Sequence, residues 1–111
     1  MDLGLRGRRA LVTGGTKGIG AAIVDLLADE GAAVALCARN AAEVAAKVDA
    51  LRAKGVAATG RALDVADPAA LRGWIAEAAE ELGGLDIVVP NVSALARLIH
   101  EGSGSVVASV A

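Results

Sequence analysis

Thr13-Gly14-Gly15-Thr16-Lys17-Gly18-Ile19-Gly20 is the stretch whose residue types and spacing could do chemistry. Its glycines permit a tight turn and let the backbone approach a ligand closely. The apolar run Arg9-Ala10-Leu11-Val12 precedes it and reads as a buried strand. Ala21-Ala22-Ile23-Val24-Asp25-Leu26-Leu27-Ala28 follows and reads as a helix. A strand, a glycine-rich turn and a helix in that order suit a phosphate, because a helix start offers unpaired N–H groups and the positive end of its dipole. Lys17 is followed by Gly18 rather than by Ser or Thr, which argues against a Walker A site. A turn without any ligand is the plain alternative, and the flanking strand and helix weigh against it.

The order Thr-Gly-x-x-x-Gly-x-Gly, with glycines at 14, 18 and 20, resembles the fingerprint of the short-chain dehydrogenase/reductase family. The resemblance covers residues 7 to 95, and more loosely 102 onward. It implies hydride transfer between NADP(H) and a carbonyl or secondary alcohol, with the dinucleotide held by Gly14, Thr16, Lys17, Gly18, Ile19 and Gly20. It also implies that Asp64-Val65 flanks the adenine, although Asp64 could equally cap the turn leading to Asp67-Pro68. The family's Asn-Asn-Ala-Gly turn is matched in part by Pro90-Asn91-Val92-Ser93, in which Asn91 stands for the second asparagine. For catalysis the family uses a serine, then a Tyr-x-x-x-Lys pair. Ser109 is the candidate for the serine, with a plain strand-end serine as the alternative. These 111 residues contain no tyrosine, so the family's proton donor is not among them. The whole stretch 1–111 therefore reads as a dinucleotide-binding domain lacking the carboxyl-terminal catalytic portion. A non-catalytic dinucleotide-binding module or sensor subunit is the competing reading.

Lys17 and Arg39 bear on which dinucleotide is taken. An acid after the second strand binds the 2′-hydroxyl of NAD, whereas an arginine accommodates the 2′-phosphate of NADP. Ala38-Arg39-Asn40 follows Cys37, with no acid in reach along the chain, and Lys17 lies near the same corner. Two cations and no carboxylate favour NADP(H) over NAD(H). The bland reading of Arg39 is a strand end in solvent. His100 could serve as an acid or base, but no triad or metal set surrounds it in sequence, and a surface histidine at a helix end accounts for it.

Composition narrows the class. The chain is 55% hydrophobic and 22% charged, which is a globular rather than a disordered balance. A net charge of −2 and a single aromatic residue argue against a nucleic-acid surface. No apolar run is long enough to span a membrane, and the first residues lack a signal-peptide pattern. The lone Cys37 cannot form an internal disulfide, which fits a reducing cytoplasm, and its place in an apolar strand makes it a small core residue.

Those candidate residues must be positioned by a repeating frame. Ile19, Ile23, Leu26 and Leu27 form one apolar face of the first helix, and Gly31 stops it. Residues 32–37 are a second strand. Asn40 caps a second helix whose buried stripe is Val44, Val48 and Leu51, with Glu43 and Lys47 as an i,i+4 ion pair on the wet side. A third strand, interrupted by Gly60, lies within 56–64. Asp67-Pro68 starts a third helix, with Leu71, Ile75, Ala78 and Leu82 as its stripe and Trp74 packing beside it. Residues 85–89 and 104–110 are the fourth and fifth strands. This alternation implies an α/β fold: a doubly wound, Rossmann-like parallel sheet of about five strands in three layers. The connection over 91–103 is near the minimum for a crossover. Either it is unusually tight, or a segment between 93 and 97 is absent. Lost or shortened crossover helices would leave apolar faces open to self-association.

Overall fold

The structure, a computed structural model, describes residues 4–90 and the short strand at 106–107. Five parallel strands form one sheet in the order β3-β2-β1-β4-β5. They are β1 (Arg9–Thr13), β2 (Ala33–Ala38), β3 (Ala58–Ala62), β4 (Ile87–Val89) and β5 (Val106–Val107). Three helices alternate with the first four strands: α1 (Gly18–Asp29), α2 (Ala41–Ala53) and α3 (Pro68–Leu82). The doubly wound parallel sheet expected from the sequence is therefore observed, with β5 described over two residues.

Alternation along the central strands assigns the two faces. Ala10, Val12, Val34 and Leu36 point to one side, where Val24, Leu27, Val44, Val48 and Leu51 of α1 and α2 cover them. Leu11, Ala35 and Cys37 point to the other, under Leu71, Trp74 and Ala78 of α3. Strands covered on both faces must be apolar throughout, and β1 and β2 are. Leu11, Leu36, Leu51 and Leu71 are fully buried, each contributing roughly 1.5–3 kcal/mol of transfer free energy. Trp74 is a core residue, 2% exposed.

The helix boundaries follow local chemistry. The Asn40 side chain accepts from the Glu43 N–H at 3.0 Å. Asp67 accepts from Ala69 and Ala70, with Pro68 in the first turn of α3. Gly83 ends α3 in the left-handed region, at φ 81°. At the amino ends of the inner strands, Asp86 ties β4 to β1: its carboxylate accepts from the Arg9 backbone N–H at 2.9 Å and from Nε at 3.0 Å. The guanidinium holds the Asp86 carboxyl below its ordinary range, and the carboxylate raises the Arg9 pKa.

Three local expectations are corrected. The buried face of α1 is Gly20, Val24, Leu27 and Ala28, whereas Ile19 is 57% and Leu26 51% exposed. The two faces share one period and are offset by one position along the helix. Val24 of this face lies directly under the loop, where a Cβ on Gly15 would come within 3.0 Å of Val24 Cγ2. Gly60 does not interrupt β3. It lies under α2, where an added Cβ would sit 2.7 Å from Val44 Cγ1 and 2.8 Å from Val48 Cγ2. Glu43 and Lys47 do not pair with each other. Lys47 Nζ lies 2.6 Å from Asp25 Oδ1, and Glu43 Oε2 lies 3.2 Å from Lys17 Nζ. Both reach from α2 towards the α1 side of the same layer, so cross-element partners displace the i,i+4 partner.

Cys37 is fully buried in β2, and desolvation pushes its thiol up to about 11. The thiol is therefore neutral and shielded at ordinary pH. We expect no reaction with a disulfide reagent at about pH 8 except through opening of the fold, so that labelling keeps pace with global unfolding. Immediate stoichiometric labelling of the folded chain would contradict this. Because the folded pKa lies above that of a free thiol, this contribution to stability is intact below about pH 8.5 and declines as pH rises towards 11.

Candidate dinucleotide site

Parallel strands place their carboxyl ends on one rim. The registers Thr13↔Cys37, Ala38↔Ala62 and Val12↔Val89 align the ends of β1, β2, β3 and β4. The chain runs outward from β1 to β2 and β3, then returns to place β4 on the other side of β1. The loop after β1 thus opens at the switch point of the sheet, where ligands bind in open α/β folds.

Residues 14–17 form that loop. Gly14 adopts φ 69° and Gly18 φ 57°, which residues with a Cβ rarely take. The Gly14 and Gly15 N–H groups both donate to the Cys37 carbonyl, at 2.8 and 3.2 Å, which pins the loop to the end of β2. Gly15 cannot carry a side chain: its Cβ would lie 2.9 Å from Leu36 Cβ and 3.0 Å from Val24 Cγ2. The loop then delivers α1 with a bare amino end. Its N-cap residue is Lys17, which makes no side-chain cap, and its first turn holds no acid. Asn40 and Asp67 cap the other two helices. Ala21 donates back to the Lys17 carbonyl, so the amides of Gly18, Ile19 and Gly20 precede the first intrahelical bond. This is the cradle that a diphosphate needs.

A cleft of about 350 Å³ lies beside the loop, within the range of small-molecule sites. Gly14, Thr16 and Lys17 line one wall, Ala38, Arg39, Asn40 and Glu43 a second, and Leu63 and Val65 a third. The fold thus brings Gly14, Thr16, Lys17, Arg39 and Val65 together as expected. Gly18, Ile19 and Gly20 sit at the adjoining start of α1. Asp64 stands on the rim, where Oδ1 accepts from the Ala66 N–H at 2.9 Å and Oδ2 lies 3.6 Å from Arg39 Nη2. The turn role left open for Asp64 is therefore real, and its link to the cleft is the contact with Arg39, since Leu63 and Val65 on either side line the cleft and Asp64 does not. A larger open groove of about 440 Å³ runs between α2 and the outer edge of β3, and it contains none of the expected site residues. Asn91, Ser109, His100 and the connection over 91–103 lie outside the described residues, so Asn91 and Ser109 are not placed at this cleft.

One electrostatic expectation needs correction. The corner is not free of carboxylates. Lys17 pairs with Glu43 at 3.2 Å and Arg39 with Asp64 at 3.6 Å. Thr16 Oγ1 also lies 3.4 Å from Glu43 Oε1. Glu43 arrives from the first turn of α2 rather than from the end of β2, so a search for an acid directly after the strand passes over it. The Asn40-x-x-Glu43 spacing of a capping box was the available signal. Leu63 was also missed, and its position just beyond β3 would have found it. Among the described residues no cluster of His, Cys, Asp or Glu could hold a metal, and no helix is long and apolar enough to cross a membrane.

Known proteins share this arrangement. The sequence pattern described as short chain dehydrogenase matches residues 8–108. A protein of Streptomyces violaceoruber, assigned as a ketoacyl reductase of the granaticin polyketide synthase, is 48% identical over 82 residues, 74% of this chain and 30% of its own length. L-sorbose reductase from Gluconobacter frateurii, solved with NADPH and L-sorbose, superposes with a TM-score of 0.78 at 36% identity, over 84% of this chain and 36% of that one. A short chain dehydrogenase from Burkholderia cenocepacia, solved with NADP, gives 0.75 at 47% identity, over 79% and 36%. The chain spans about a third of the length of these three relatives. The matched residues include the glycine loop, its flanking strand and helix, and the rim at Arg39 and Asp64, and the chain belongs to the short-chain dehydrogenase family.

Proposed function

We propose that this chain binds NADP(H), and that it is the dinucleotide-binding portion of an oxidoreductase of its family. The observation that carries this reading is the bare amino end of α1, set beside a cleft lined by two basic side chains, Lys17 in the glycine loop and Arg39 after β2. The residues fit the group. The amides of Gly18, Ile19 and Gly20 would take the pyrophosphate. Val65 and Leu63 would flank the adenine, with Asp64 at its edge. Lys17 and Arg39 would hold the 2′-phosphate. Both are exposed, at 79% and 82%, and free to reorient towards an incoming anion. Relatives solved with NADPH and NADP have the same fold over this region.

When bound, the cofactor supplies the hydride for a carbonyl or accepts one from a secondary alcohol. The chain's part would be to hold the adenosine half and the diphosphate through the amides of Gly18, Ile19 and Gly20 and the side chains of Lys17 and Arg39. Asn91 would follow β4 on the rim, and Ser109 is the candidate for a polar group near the reacting atoms. The 111 residues hold no tyrosine to act as the family's proton donor. We therefore expect NADPH binding in calorimetry without ketone-dependent NADPH oxidation by this chain alone. Turnover would show that another group donates the proton. Failure of NADPH to bind would remove the nucleotide reading.

A further inference from the structure

We propose that Glu43 sets how strongly the cleft prefers a nucleotide bearing a 2′-phosphate, by occupying Lys17 and Thr16 before the nucleotide arrives and opposing the phosphate once it does. This rests on the reading that the cleft takes a dinucleotide.

Glu43 stands in the first turn of α2, where its N–H already donates to Asn40. Helix capping uses only that backbone group. The side chain is free of the cap, and it turns away from α2 to meet the glycine loop with both oxygens. Oε1 accepts from Thr16 Oγ1 at 3.4 Å, and Oε2 lies 3.2 Å from Lys17 Nζ. All three residues line the same cleft. An incidental surface pair is the plain alternative. Against it stands the asymmetry of the pair: Lys17 is 79% exposed, Glu43 only 34%. The lysine can swing to another partner, whereas the carboxylate is anchored to a helix and stays in the wall.

The charge balance of the corner follows. Lys17 and Arg39 face Glu43 and Asp64, two cations against two carboxylates. A 2′-phosphate carries roughly −1.5 to −2 charges near neutral pH, and both cations must change partners to meet it. Arg39 leaves Asp64 easily, because that contact is longer, at 3.6 Å, and both groups are more than half exposed. Lys17 must leave the closer partner, and the phosphate must then sit beside the Glu43 carboxylate in the cleft wall. A 2′-hydroxyl meets neither obstacle.

Glu43→Gln separates these effects. Glutamine keeps the size and an acceptor for Thr16, and the capped backbone N–H is unchanged. By calorimetry on the 111-residue chain, the variant is expected to bind NADPH about 3- to 10-fold more tightly than the native chain. NADH affinity should stay within about 2-fold, because its adenosine ribose carries no phosphate for the carboxylate to oppose. The gain should shrink at about 1 M salt, where charges are screened within about 3 Å. Unchanged or weakened NADPH binding in the variant, with both nucleotides binding the native chain, would overturn the role of Glu43 alone. An equal gain for NADH would also overturn it. If neither nucleotide bound the native chain, the parent reading would fall with it.

Discussion

Arg39→Ala combined with Lys17→Ala is expected to weaken NADPH binding about 100-fold while leaving NADH within about 3-fold. A hydrogen bond to a charged group contributes roughly 1.5–3 kcal/mol, and each 1.4 kcal/mol is a factor of ten. The two side chains are 82% and 79% exposed, so the lower end of that range applies to each. The double variant also leaves Glu43 and Asp64 without their cations, which adds repulsion towards the 2′-phosphate. NADH offers a 2′-hydroxyl, and its diphosphate rests on the backbone amides of Gly18 to Gly20, which neither substitution touches. Calorimetric titration of both nucleotides checks this. An equal loss for the two would mean that the basic pair supports the fold or the diphosphate rather than the 2′-phosphate.

The largest loss of stability is expected at Gly60→Ala. The new methyl would lie 2.7 Å from Val44 Cγ1 and 2.8 Å from Val48 Cγ2. Neither valine is the loose end of a long side chain, and Val44 and Val48 are both buried. Relief requires α2 to lift off β3, and overpacking of this kind costs about 1–3 kcal/mol. In a domain of this size that lowers Tm by roughly 5–20 °C. Gly73→Ala is the matched control. Gly73 lies inside α3 with nothing within 4 Å of an added Cβ, and alanine there should stabilise by about 0.5–1 kcal/mol. Thermal unfolding of the two variants should shift in opposite directions. Equal tolerance at both positions would mean that α2 does not sit as close to β3 as the structure places it.

What the sequence made legible was the chemistry that acts along the chain. Asn40 and Asp67-Pro68 mark helix starts because caps act within three residues. The glycine loop is readable because a strand and a helix flank it directly. Arg39 and Asp64 could be assigned to one rim because each follows a strand, and parallel strands share an end. What was not legible depended on distance between elements. Periodicity permits either face of α1, and it is packing against the sheet and the loop, with Val24 close under Gly15, that goes with burial of Gly20, Val24, Leu27 and Ala28. Glu43 looked like the partner of Lys47 until α1 and α2 were seen to lie in one layer. Gly60 looked like a break in a strand, because Val44 and Val48, the side chains that need its missing Cβ, are more than ten residues away. The basic corner looked free of acid for the same reason.

The central claim is that the loop between β1 and α1 receives a diphosphate while Lys17 and Arg39 take the far phosphate. Its most direct test is the amide spectrum of isotope-labelled chain titrated with NADPH. The account predicts that the largest shifts fall at residues 14–20, 38–40 and 63–65, with the groove on the outer edge of β3 unmoved. Shifts centred on that groove, or no shift at saturating nucleotide, would contradict it.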